Sequence, residues 1–82
     1  MFNVYILYSS SIDQYYIGHT QNIDERIDRH NAGRSLTTKR GKPWILLYTE
    51  TFSTRSEAMI REKAIKKKKS RAYIEQLTKN TK

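Results

Sequence analysis

The chain has 82 residues, a formal net charge of +8 from 16 basic and 8 acidic side chains, and no cysteine. That length suits one domain with a thin hydrophobic core. The missing cysteine excludes a disulfide scaffold, a thiolate zinc site and cysteine catalysis. No apolar run is long enough to span a membrane, and the N-terminus lacks the basic start and apolar middle of a signal peptide. The expectation is therefore a soluble, cytoplasmic protein with no membrane partner.

Phe2 to Ser9 reads as a strand with two apolar faces. Phe2, Val4, Ile6 and Tyr8 lie on one, Tyr5 and Leu7 on the other. A strand of that kind belongs in the middle of a sheet or under cover on both sides. Ser10 to Gln14 is a polar turn and Tyr15 to Thr20 a second short strand, so a hairpin is expected, its register unspecified. Asn22 to Ala32 reads as a helix. Asn22 is placed as its N-cap, Glu25 stands three residues on as in a capping box, and Gly33 is the stop.

Arg34 to Lys42 is a basic loop carrying Lys39, Arg40 and Lys42. Trp44 to Thr49 is a third strand, again apolar on both faces. Thr54 with Glu57 makes a second capping-box pattern, opening a helix that runs to about Lys67. The run Lys66-Lys67-Lys68-Lys69 marks a break or bend, and Ser70 to Lys79 forms a third helix. The order β-β-α-β-α-α predicts an α+β fold, a small three-stranded antiparallel sheet flanked by helices. The whole chain, residues 1–82, is expected to be one domain with a basic C-terminal part from about residue 63.

The charge is unevenly placed. Up to Gly33 there are two basic residues against four acidic ones; from Arg34 onward there are fourteen against four. That asymmetry fits a polyanion meeting the second part of the chain, although a solvated basic face would look the same.

Three groups sit oddly for a small core. The first helix's apolar stripe of Ile23 and Ile27 also carries Arg26 and His30. They are either rim residues, Arg26 laying its stem along the sheet, or the lining of a cleft with one permanent cation and one titratable base. The second helix places Glu62 on the side of Ala58, Met59 and Ile65. A carboxylate there needs an ion pair, with Arg26 or another cation, a proton, or a hard metal ion held together with substrate phosphate and water. Six tyrosines are many for this length, and in Tyr16-Ile17-Gly18 a glycine falls late in a strand, a mark of close approach by another backbone or a ligand. Tyr8, Tyr15 and Trp44 could stack bases, with core packing the simpler role for Trp44.

Taken together, "VYIL", "YYIGHT", "ERIDRHNAG" and "SEAMIREKAIKK" resemble the GIY-YIG nuclease domain. The likeness is greatest to small single-domain members related to the incision domain of bacterial nucleotide-excision repair nuclease. It spans about Phe2 to Leu77 and leaves no room for a separate DNA-binding domain. The resemblance implies a metal-dependent endonuclease acting on nucleic acid, chiefly DNA, in repair or processing. It implies Tyr5, Tyr16, Arg26, His30 and Glu62 as catalytic residues, Glu62 as ligand of one Mg²⁺ or Mn²⁺, and Gly18 as the structural glycine of the second motif. Lys39, Arg40, Lys42 and Lys66, Lys67, Lys68 and Lys69 would track the backbone, and a protein partner could supply targeting.

Two departures stand out. The first motif reads Asn3-Val4-Tyr5, without its glycine. His19 stands where some active members have lysine. Two other classes fit the residues: a nucleic-acid-binding module or partner-dependent subunit that has kept the fold and lost turnover, and a structural protein in which Arg26 and Glu62 form a buried salt bridge.

Overall fold

The computed structural model describes residues 1–33 and 39–79. Residues 34–38 of the predicted basic loop and residues 80–82 of the predicted basic C-terminal part lie outside the described residues. The elements run β1 (Phe2–Ser9), β2 (Gln14–Thr20), α1 (Ile23–Asn31), a short 3-10 turn (Lys39–Gly41), β3 (Ile45–Phe52), α2 (Arg55–Lys68) and α3 (Arg71–Lys79). This is the α+β order read from the sequence. The sheet is antiparallel with strand order β2-β1-β3.

The doubly apolar β1 is the central strand, as its pattern requires. Its alternating side chains serve two cores. Val4 and Ile6 join Ile17, Ala58 and Ile65 beneath α2 and α3. Tyr5 and Leu7 join Trp44, with Ile23 and Ile27 of α1 packed against them. The sheet therefore lies between α1 on one face and the α2–α3 pair on the other. Because side chains alternate along a strand, neighbouring residues of β1 and β2 serve opposite layers.

β3 begins at Ile45 and runs on to Phe52, beyond the expected Trp44–Thr49. Trp44 falls outside the strand and is buried in the α1-side core. The ladder shifts by one residue, with Ile6 opposite Tyr48 but Leu7 opposite Leu46. As an edge strand, β3 leaves Ile45 and Leu46 exposed. Met59 is corrected too. It is exposed, because only Ala58 and Ile65 of α2 reach the core.

The caps lie where the side chains can make them. The Asn22 side chain accepts from the Glu25 N–H, and Thr54 and Glu57 form the full reciprocal box. The lysine run does break the helix: Lys69 closes α2 in the left-handed region, with φ of 46°. That turn folds α3 back onto the sheet.

A contact with no local signature fixes the entry to β3. Asn31, at the end of α1, donates through Nδ2 to the Trp44 carbonyl at 3.2 Å and accepts the Trp44 N–H through Oδ1 at 2.5 Å. One amide thus stands in for a strand partner just where Trp44 enters the core. Asn31→Ala would leave both backbone groups without this partner. The expected cost is about 1–3 kcal/mol in urea denaturation.

Candidate active site

Gly18 and Tyr5 are opposite one another in the β1–β2 ladder. A methyl group on Gly18 would sit 2.6 Å from the Tyr5 hydroxyl oxygen and 2.8 Å from the ring carbon that bears it. The glycine is therefore where the Tyr5 ring crosses β2. Lying across that gap, Tyr5 is only 1% exposed, and its hydroxyl is 3.2 Å from Nε2 of His30, itself 2% exposed. The Tyr16 ring meets the His30 ring edge-on, with centroids 4.8 Å apart. Arg26 and Tyr16 are half-buried beside this pair, the Tyr16 ring 6.3 Å from that of Tyr5 and Arg26 hydrogen-bonded to the Tyr5 side chain.

Burial pushes the Tyr5 hydroxyl well above the ordinary tyrosine value; nearby Tyr16 and Glu62 add to this and Arg26 opposes it. Burial also lowers the pKa of His30, reinforced by Arg26 and Arg29. The consequence at neutral pH is a protonated Tyr5 beside a neutral imidazole. In that state Tyr5 donates and Nε2 accepts, which places the imidazole proton on Nδ1.

Glu62 approaches from the other layer. Its Oε1 is 2.6 Å from Nδ1 of His19, which faces α2, and its Oε2 accepts from Lys66 Nζ at 2.6 Å. Burial would raise this carboxyl, but the hydrogen bonds from Lys66 and His19 outweigh it and hold Glu62 below the ordinary carboxylate range. The carboxylate is therefore ionised, with its side chain only 16% exposed. Of the partners the sequence left open, Arg26 or another cation, the structure shows the second: Glu62 pairs with His19 and Lys66, and no Arg26–Glu62 salt bridge forms. Glu62 still acts on the Tyr5 hydroxyl through space, so the two layers meet electrically at the edge strand β2.

Tyr5, Tyr16, Gly18, Arg26 and His30 are thus gathered on the α1 side, with Glu62 across the sheet edge. The basic residues do not form one track. Lys39, Arg40 and Lys42 are exposed around the 3-10 turn. Lys66 binds Glu62, and Lys68 lies over the Tyr73 ring at 5.3 Å. Lys67 is exposed and Lys69 sits at the α2–α3 corner. Besides the Asn31–Trp44 contact, two networks carried no pattern in the sequence. One is the His19 contact. The other is Arg61, which bonds both oxygens of Glu50 at 2.9 Å and also donates to Tyr73, tying α2 to β3 and α3.

A sequence profile of the GIY-YIG catalytic domain matches residues 1–77. The chain belongs to the GIY-YIG family. A UPF0213 protein of Halobacterium salinarum is 42% identical over 94% of this chain and 99% of its own length. One from Staphylococcus haemolyticus is 50% identical over 52 residues, which are 62% of this chain and 63% of that protein. The solution NMR structure of the UPF0213 protein BH0048 from Bacillus halodurans superposes with a TM-score of 0.58 at 36% identity, covering 96% of this chain and 84% of that one. This GIY-YIG chain is therefore a small nuclease-superfamily domain of the UPF0213 type. Domains of this family act on nucleic acid and generally depend on a divalent metal.

Among the described residues no group of three or more His, Asp or Glu side chains gathers to hold an ion, and no helix is long and apolar enough to cross a membrane. One ionised, partly buried carboxylate is nonetheless a hard oxygen donor. It suits Mg²⁺ or Mn²⁺ when phosphate and water complete the shell.

Gly18→Ala should force the Tyr5 hydroxyl off His30, costing about 1–3 kcal/mol of stability on denaturation, the usual scale for overpacking. His30 predicts a pH dependence. Its proton is held less readily in the folded chain than in the unfolded one, where the pKa is about 6.5. Unfolding therefore takes up a proton below that pH, and stability should fall as the pH drops from about 6.5 towards the lower folded value. Denaturation of the wild type and His30→Gln at pH 7.5, 6.5 and 5.5 would show this slope only in the wild type.

Proposed function

We propose that this chain is a metal-dependent endonuclease that hydrolyses phosphodiester bonds in DNA, in repair or processing. The observation that carries the reading is the buried Tyr5–His30 hydrogen bond, with an ionised Glu62 close enough to act on the same hydroxyl. A salt bridge kept for structure alone would need none of this.

The order of burial supports one division of the parts. Arg26 and Tyr16, half-exposed, are the members that can touch substrate; Tyr5 and His30 lie behind them. Arg26 binds the non-bridging oxygens of the scissile phosphate in a fork and stabilises the charge that grows there. Tyr16 aligns the attacking water. The water's proton passes inward to the Tyr5 oxygen as the Tyr5 proton moves to Nε2 of the neutral His30. The resulting hydroxide forms the new bond to phosphorus and the bond to the 3′ oxygen breaks, that oxygen taking a proton from solvent. His30 is therefore the final base, and Tyr5, whose proton is held tightly, is the conduit.

Glu62 would hold one Mg²⁺ or Mn²⁺, which neutralises charge on the phosphate and the leaving 3′ oxygen as a Lewis acid. For this, Glu62 must release a carboxylate oxygen from Lys66 or His19. That double occupation is also the observation favouring a second reading, a nucleic-acid-binding module with weak turnover or one that needs a protein partner.

Cleavage of labelled branched, nicked, single-stranded and duplex DNAs, with Mg²⁺, Mn²⁺ or a chelator, tests the proposal. Metal-dependent cutting is expected, falling at least about 100-fold in Glu62→Gln, the scale for losing one transition-state contact. Thermal melting should show that this variant is folded. Undiminished cutting by pure Glu62→Gln would overturn the nuclease assignment, and tight binding without cutting by the wild type would favour the binding module.

A further inference from the structure

A cavity of about 340 Å³ opens on the face away from Tyr5, between β2 and the corner where α2 turns into α3. Its floor is apolar, from Ile17, Ile65 and Ile74, and Tyr15 forms one wall. The guanidinium of Arg71 lies over the Tyr15 ring at 5.2 Å. That guanidinium is held in place by Asp13 and Glu75. Asp13 is in turn held by Tyr8 as well, so the acidic group at the rim is already satisfied. The mouth carries Lys66 and Lys69.

Each feature has a counterpart in one nucleotide. The half-exposed guanidinium plane of Arg71, backed by the Tyr15 ring, is a surface on which an unstacked base lies. The apolar floor takes the base body, and ammonium groups at the mouth take the phosphate. The volume is at the low end of the roughly 300–1,000 Å³ typical of ligand pockets, so it suits a single residue. Bases paired within a duplex cannot enter, because their faces are already stacked.

The cavity is also tied to the candidate active site. Lys66, at its mouth, reaches Glu62 with its ammonium at 2.6 Å. We propose that this cavity is a nucleotide subsite, holding one unpaired nucleotide of the DNA next to the phosphate positioned at Glu62. The substrate class is then DNA with an unpaired nucleotide beside the cleaved bond: a flap, a branch or a single-stranded end. The position of the bound nucleotide beside that bond rests on the nuclease reading; the base-binding cavity itself does not.

The test is binding in chelator, where nothing is cut. Fluorescence anisotropy would compare a duplex carrying a single-stranded extension with a blunt duplex of the same sequence and salt. The wild type should prefer the extension about ten-fold, the scale of one base–aromatic stack. Tyr15→Leu keeps an apolar side chain and loses the ring; its preference should fall to within about two-fold on that same scale. Lys69→Gly removes a mouth cation while suiting the left-handed backbone there, so it preserves the helix break and remains informative if Tyr15→Leu does not fold. It should weaken binding to the extension more than to the blunt duplex.

Equal binding of the two DNAs by the wild type would overturn the subsite. So would a preference unchanged in the folded variants, including equal weakening of both DNAs by Lys69→Gly. The two readings fail separately. Cutting that depends on Glu62, without any preference for unpaired DNA, removes the subsite alone; cutting indifferent to Glu62, with the preference intact, removes the nuclease.

Discussion

The structure depends on burying one strand on both faces. Val4, Tyr5, Ile6 and Leu7 are all essentially inaccessible to water, and they point alternately into two cores. A chain of this size has little apolar surface to spend on two layers, since small domains bury a smaller fraction of it. Sharing β1 between both cores lets one segment organise α1 on one side and α2 and α3 on the other. The chemistry follows from the same economy: Tyr5 is a core residue whose hydroxyl belongs to the candidate active site. Its proton affinity is set by burial first and by charged neighbours second.

That double duty explains why Gly18 matters. An edge strand is the one place where two helical layers can approach the same group without a second sheet strand between them. Here the edge is thinned at the residue facing Tyr5. The ring crosses the gap to reach His30 on the α1 side, and Glu62 comes to the same edge from α2 by way of His19. Polar groups this close to a core are tolerated because each is satisfied. Among the described residues, no buried side-chain nitrogen or oxygen lacks a partner. A polar network of this kind is strong when complete and costly when broken.

Local rules were enough to read the elements. Thr54 and Glu57 announce the start of α2 through a four-residue pattern, the doubly apolar β1 announces its central place, and the lysine run announces the break at Lys69. The anomalous stripe of Arg26 and His30 also pointed correctly to one face of α1. What could not be read was which long side chains meet across layers. Glu62 was anomalous by its position on a helix, yet its partner His19 lies 43 residues away in sequence. Their meeting depends on how α2 lies against the sheet edge, which helical periodicity does not report. The same holds for Asn31 clasping Trp44 and for Arg61 clasping Glu50. Met59 was misread for a related reason: a helix covering a narrow sheet buries a thin stripe, and a residue beside Ala58 already falls outside it.

Lys66 then has two possible debts, one to Glu62 and one to whatever anion lies at the mouth of the α2–α3 cavity. With no ligand its ammonium is best placed on the carboxylate, a favourable Glu-to-Lys spacing of four on a helix. A divalent ion taking Oε2 of Glu62 would reverse that preference, because two cations cannot share one carboxylate oxygen without strong repulsion. The displaced ammonium would remain beside the cavity mouth, where phosphate can receive it. Metal and nucleic acid would then favour one another's binding through a single side chain, and the coupling would be equal in both directions. In this way one lysine would stabilise the empty carboxylate and then the bound backbone.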